Sequence, residues 1–208
     1  MGGGLLYILS SPAGGGKTTI ANILLSKIEN LKRVITYTTR EKRPNEIDGV
    51  DYYFVGKDKF EKLIKENAFL EYAIVHGNYY GTPKKETLEL LRKGYDLLLV
   101  IDVQGYLQIK QNFKEAVGIF ILPPSINELI NRMKKRGETE EEINKRLKTA
   151  EKEIPQWKNY DYIIINENLD DAVEKAKSII ISNRLKTDRF DISNIKDEKL
   201  KILMQNMI

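Results

Sequence analysis

The chain has 208 residues, 41% hydrophobic and 31% charged, with no cysteine; this is an ordinary globular composition, and it excludes a disulfide framework or a thiolate zinc site. Apolar runs such as residues 97–101 and 163–165 fall far short of the ~20 residues that span a bilayer. Residues 1–4 carry no basic side chain and position six is Leu6, so neither a signal peptide nor N-myristoylation is expected, and the chain reads as cytoplasmic with no membrane partner. A net charge of +4 and a pI near 9.0 favour an anionic partner. Lysines scattered among glutamates, with no nucleic-acid motif, point to nucleotides rather than nucleic acid.

In chain order, residues 5–9 form an apolar run closed by Ser, Pro and Gly, the pattern of a buried strand. Ile20, Ala21, Ile23, Leu24 and Ile28 then recur at helical spacing. Residues 33–37 and 52–55 read as strands, and 60–64 lies on a helix whose start is marked by Asp58 and Glu61. Thr82-Pro83 predicts a helix start, with proline at the first helical position, where its missing N–H is not needed. Residues 97–101, 118–122 and 162–165 are further strands. Ser125-x-x-Glu128 and Thr139-x-x-Glu142 are capping-box patterns, and 170–185 predicts the last strong helix. Apolar strands alternating with helices imply a parallel sheet covered on both faces. The tyrosine-rich stretch 36–81 interrupts that alternation and reads as an inserted subdomain with its own small sheet. Residues 136–150 are highly charged without a strong apolar face, as expected of a mobile lid. The tail after Thr187 shows only a weak amphipathic pattern.

Between the first strand and first helix stand Ser11, Pro12, Ala13, Gly14, Gly15, Gly16, Lys17, Thr18 and Thr19. Glycines let successive backbone N–H groups turn inward around phosphate oxygens, and the helix N-terminus adds its dipole. Lys17 is placed to reach the β- and γ-phosphates of a triphosphate and the Thr18 hydroxyl to ligand Mg2+. The strict pattern has glycine where this chain has Ser11, a small residue that can still make the turn.

Thr38-Thr39-Arg40 with Arg43 puts two guanidinium groups three residues apart, suited to gripping a dianionic phosphate. Then follow Tyr52-Tyr53-Phe54-Val55, Glu71-Tyr72-Ala73 and Gly77-Asn78-Tyr79-Tyr80-Gly81-Thr82. This ordered set resembles the guanylate kinase family over residues 4 to about 186. The resemblance implies an α/β fold: a P-loop kinase core with a parallel five-stranded sheet flanked by helices (1–35, 94–131 and 151–186). It also implies an inserted small GMP-binding α/β subdomain (36–93) and a helical lid (132–150), leaving the tail 187–208 unassigned. It further implies that Arg40, Arg43, Tyr52 and Tyr80 hold the GMP phosphate, and that Thr36, Glu71, Thr82 and Asp102 read the guanine. The chemistry agrees, since guanine offers N1–H and an exocyclic amine as donors and carboxylates are natural acceptors. Many relatives carry a second acid two residues before Asp102. This chain has Val100 there, and no substitute lies nearby in the sequence.

Arg132, Arg136 and Arg146 match the family's lid arginines, and Arg132 and Arg136 share one helix face. With Lys17 and Arg40 they are the expected catalytic residues, bracketing the charge of a transferring phosphoryl group. Asn166 resembles the family residue beside the adenine of ATP. Lys134 and Lys135 read as solvated, His76 as structural, and Trp157, Tyr160 and Tyr162 as packing residues. The expectation is therefore an ATP:GMP phosphotransferase, active with dGMP too, using Mg2+ and working as a monomer or homodimer. The alternatives are a kinase for another small phosphate ester and a non-catalytic binding module on the same fold. The first should lack the Glu71, Tyr80 and Thr82 set, and the second the loop lysine and lid arginines.

Overall fold

A computed structural model describes residues 3–205. The chain opens with β1 (Leu6–Ser10), α1 (Lys17–Lys27), β2 (Leu31–Arg33), β3 (Thr36–Thr38) and β4 (Tyr52–Phe54). It continues through α2 (Lys57–Lys65), β5 (Phe69–Val75), β6 (Asn78–Pro83), α3 (Lys84–Arg92), β7 (Asp96–Val100) and α4 (Val103–Asn112). Then come β8 (Val117–Leu122), α5 (Ile126–Lys135), α6 (Glu140–Glu153), β9 (Tyr162–Ile165), α7 (Leu169–Arg184) and α8 (Glu198–Gln205).

Five strands form a fully parallel sheet in the order β2-β7-β1-β8-β9. Every residue of β1 is buried, which is why the sequence reads as an unbroken apolar run rather than an alternating one. Its odd and even side chains serve opposite layers. Leu5, Tyr7 and Leu9 pack with Ile20 and Leu24 of α1 and Val173 and Ile180 of α7. Leu6 and Ile8 pack instead with Tyr106 and Ile109 of α4 and with Leu91 of α3. In that second layer Tyr106 stacks on Tyr160, with centroids 3.8 Å apart, and Phe120 on Tyr160 at 4.7 Å.

The second sheet, in the order β4-β3-β6-β5, is mixed: β3 and β4 are parallel, and β6 runs antiparallel to β3 and β5. Here two expectations are corrected. Residues 33–37 do not form one strand: the Val34 amide still donates to Leu98 O in the large sheet (3.1 Å), and the chain then crosses to the small one. An apolar-run pattern cannot register that a strand changes partners. Thr82 and Pro83 close β6, and the helix expected to start there begins one residue later, with Pro83 as the N-cap of α3 rather than its first residue; proline is tolerated at a strand end because no further ladder bond is asked of it.

The lid segment is also better packed than its charge suggests. Ile143, Leu147, Ala150 and Ile154 form a stripe that packs on Leu129 and Met133 of α5. Thr139 caps α6 with a complete reciprocal box to Glu142, whereas Ser125 caps α5 by accepting from the Glu128 amide. Trp157, expected to pack, is 42% exposed with the Lys158 ammonium over its ring. Tyr162 is half-buried. No helix among the described residues is long and apolar enough to cross a membrane.

Candidate active site

The phosphate loop leaves the carboxyl end of the central strand β1, between β7 and β8, where parallel sheets leave a crevice for ligands. Gly14 (φ 88°) and Gly16 (φ 97°) adopt the left-handed conformation that turns the chain back into α1. The Gly15 amide donates to Pro12 O (3.0 Å), closing the turn. Ser11 is buried (1% exposed), and its hydroxyl donates to Pro12 O at 2.9 Å. A Cβ at Gly15 would sit 2.7 Å from the Ser11 Cβ, so serine is accommodated at position 11 because Gly15 has no side chain.

Lys17, Thr18 and Thr19 line a cavity of about 240 Å³ below this loop, as do Ala13, Gly14 and Gly16. The Lys17 ammonium reaches Ser11 O at 3.4 Å. Burial pulls its pKa down, opposed by the charges of Glu153 and Asp102. Asn166, buried at the end of β9, donates to Gly15 O (3.1 Å), and its own carbonyl accepts from Arg132 Nη2 (2.9 Å). Asn166 and Arg132 thus stand behind the loop, joining it to α5.

Across the cavity the second sheet supplies Thr36, Tyr52, Glu71 and Tyr80, with Arg43 at its edge. Arg40 lies over the Tyr52 ring (5.5 Å), and Tyr52 meets Tyr80 edge-on at 6.0 Å. The Arg40 Nη2 contacts both Glu46 oxygens (2.7 and 2.9 Å), and the Arg43 amide donates to the same carboxylate (2.9 Å). Glu46 is a residue that the sequence reading missed. Its only signal is an acid six residues after Arg40, and pairing across a loop is invisible without the fold.

Glu71 is 4% exposed and accepts from the Thr82 hydroxyl at 2.5 Å. Burial pushes its carboxyl up to about 7, with the Thr82 hydrogen bond working against the rise. Asp102 caps α4: its Oδ1 accepts from the Gly105 amide (3.0 Å), while Oδ2 is buried with no partner among the described residues. Burial likewise raises its pKa. Gly105 is required beside them, since a Cβ there would fall 2.6 Å from Glu71 Oε2. Two buried acids, Glu71 and Asp102, thus present carboxyl oxygens to one pocket.

From the end of α5 and from α6, Arg136 and Arg146 line the same cavity. Arg146 pairs with Glu138 (3.0 Å) and Arg132 with Glu128 (2.8 Å), whereas Arg136 is exposed at the end of α5. His76, in the β5–β6 turn with φ 50°, also faces the cavity. No group of three His, Cys, Asp or Glu that could hold a metal occurs among the described residues.

A glycine-bent phosphate loop at the end of a parallel sheet, facing arginines and acids on an inserted sheet, defines a phosphotransferase of the P-loop kinase class. The Guanylate kinase family model matches residues 4–183. The chain is 51% identical over 187 residues to the guanylate kinase of Clostridium tetani, covering 89% of each chain. It is 49% identical to that of Caldanaerobacter subterraneus subsp. tengcongensis, covering 89% of this chain and 91% of the relative. The crystal structure of guanylate kinase from Anaplasma phagocytophilum superposes with a TM-score of 0.77 at 37% identity, covering 90% of both. The chain belongs to the guanylate kinase family.

Proposed function

We propose that this enzyme transfers the γ-phosphoryl group of ATP to GMP, and to dGMP, giving ADP and a guanosine diphosphate. The observation that carries the reading is the buried Glu71–Thr82 pair with Asp102 beside it, facing the cavity that Lys17 lines. Guanine N1–H and its exocyclic amine find carboxylate acceptors there. Adenine has no N1 donor and would leave a buried acid unpaired, a loss of several kcal/mol. Arg40, Arg43, Tyr52 and Tyr80 are the acceptor-phosphate contacts. Thr36, Glu71, Thr82 and Asp102 read the base. Residues 11–19 and Asn166 form the ATP site. In this division 36–93 is the acceptor subdomain, 132–150 the lid and 187–208 a tail without an assigned role.

The acceptor phosphate is already ionised near neutrality, so no general base is needed. An acceptor oxygen attacks the γ-phosphorus while its bond to the β-γ bridging oxygen breaks, and the electron pair leaves on ADP. The chain's part is alignment, exclusion of water and charge neutralisation by Lys17, Arg40, Arg132, Arg136 and Arg146. Each of Arg40, Arg132 and Arg146 is held by a carboxylate, so phosphate would exchange with an existing anion. Mg2+ fits the site as an ion carried by ATP phosphates: the Thr18 hydroxyl lines the cavity and supplies an oxygen ligand. Bound there, the ion would offset charge on the β- and γ-oxygens. We further infer a cytoplasmic enzyme, monomeric or homodimeric, with no nucleic-acid partner. The retained Lys17 and lid arginines argue against a binding module without catalysis.

The test is ADP release from ATP and Mg2+ with GMP, dGMP, AMP, CMP or UMP offered separately. Turnover with GMP and dGMP alone is expected; absence of turnover with GMP would sink the reading.

A further inference from the structure

Glu153 is the last residue of α6, where the lid helix meets the core. Upstream, Ala150 is packed with Leu129 and Met133. Downstream, the tight turn Ile154–Asn159 runs into Tyr160, which is stacked between Tyr106 and Phe120. The side chain is half-buried, lines the cavity with Lys17 and Asp102, and has no hydrogen bond or ion pair among the described residues. A neutral residue would be less costly at such a position.

Lys17 shows the complementary deficit. Its one hydrogen bond, to Ser11 O, is long at 3.4 Å, and no carboxylate lies within ion-pair distance among the described residues. Burial disfavours its ammonium; Glu153 offsets this most and Asp102 next, while Arg146 and Arg136 work against it. In turn burial pushes Glu153 up to about 7, and the lysine charge draws it back. The neighbouring position on β7 contributes no charge, because it is Val100, paired with Leu9 just before the loop and lining the same wall.

Resting on the reading of Lys17 as the donor-phosphate lysine, we propose that Glu153 is its positioning residue. The carboxylate at the end of the lid helix directs the ammonium into the cavity, a place where β7 offers only an aliphatic side chain. The role is electrostatic and acts through Lys17, so it belongs to the donor half of the site and is independent of the acceptor.

Calorimetric titration with ATP in the absence of any acceptor reads this directly. Glu153→Gln is expected to weaken ATP binding about tenfold, with GMP affinity within about twofold and Tm within about 2 °C of the parent. In a Lys17→Met background the same substitution should add nothing. Adding Val100→Asp to Glu153→Gln, which returns a carboxylate to that wall, should recover most of the affinity. Unchanged ATP affinity in Glu153→Gln would overturn the assignment. So would an equal loss with and without Lys17, a loss that merely follows a fall in Tm, or no recovery in a Val100→Asp double variant of normal Tm. Wild-type protein that binds ATP but does not phosphorylate GMP would defeat the kinase reading alone and leave the Glu153 measurement standing.

Discussion

Replacing Glu71 with glutamine separates what a buried acid costs the fold from what it does for the substrate. The carboxyl is 4% exposed and is raised from 4.5 to about 7 by burial. Folded protein therefore holds a proton there that the unfolded chain gives up, across the window from pH 4.5 to 7. Wild-type stability must fall as pH rises through that window, because the native state binds the extra proton. At 1.36 kcal/mol per tenfold change in proton affinity, the full displacement corresponds to about 3 kcal/mol above pH 7. Glutamine keeps an acceptor for the Thr82 hydroxyl and removes the ionisation. The variant should match wild type near pH 4.5 and exceed it by up to about 3 kcal/mol at pH 8, read from urea unfolding at both pH values. For GMP the sign reverses: the amide offers one acceptor and one donor to two guanine donors, a loss of about 2–3 kcal/mol, or roughly 30–150-fold in KM for GMP. KM for ATP should move less than about threefold. A stability difference that is flat with pH, or equal losses for GMP and ATP, would refute the reasoning.

Two further substitutions test the scaffold that holds the site. Asp96 accepts from the Leu5 amide (2.7 Å) and from Arg184 Nε (2.6 Å), tying the starts of β1 and β7 to the end of α7. Asp96→Ala strands both donors and should cost about 3 kcal/mol in chemical denaturation; a change under about 1 kcal/mol would mean the pair is not structural. Gly118→Ala would drive a methyl group into the Tyr106 ring beneath β8. It should destabilise by about 2 kcal/mol and alter the near-ultraviolet circular dichroism of the tyrosine stack, and an unchanged spectrum would show that the ring moves aside freely.

How much was legible in the sequence differs between the halves of the site. The phosphate loop could be read directly, because its work is done by backbone N–H groups and one lysine on contiguous residues, and glycine is needed where φ is positive. Four of the five parallel strands could be read too, since burial leaves apolar runs such as Leu97-Leu98-Leu99, whereas the edge strand β2, with Lys32 exposed, leaves none. Most of the proposed acceptor residues could be listed only through resemblance to a family, as Tyr80, Glu71 and Asp102 carry no local signal that they face one cavity. The division of 33–37 between two sheets and the end of β6 at Pro83 escaped the pattern because each depends on which strand lies alongside.

Sequence alone determined the local chemistry of this protein: a loop that turns inward, capped helices, and strands too apolar to face water. Only the tertiary structure decided which charges meet. Glu46 finds Arg40 across a loop, Thr82 crosses to Glu71 from the next strand, and Glu153 at the end of α6 reaches the cavity that Lys17 lines. Electrostatic coupling depends on distance and burial rather than on separation along the chain, so these pairings exist only once the two sheets and the lid are assembled.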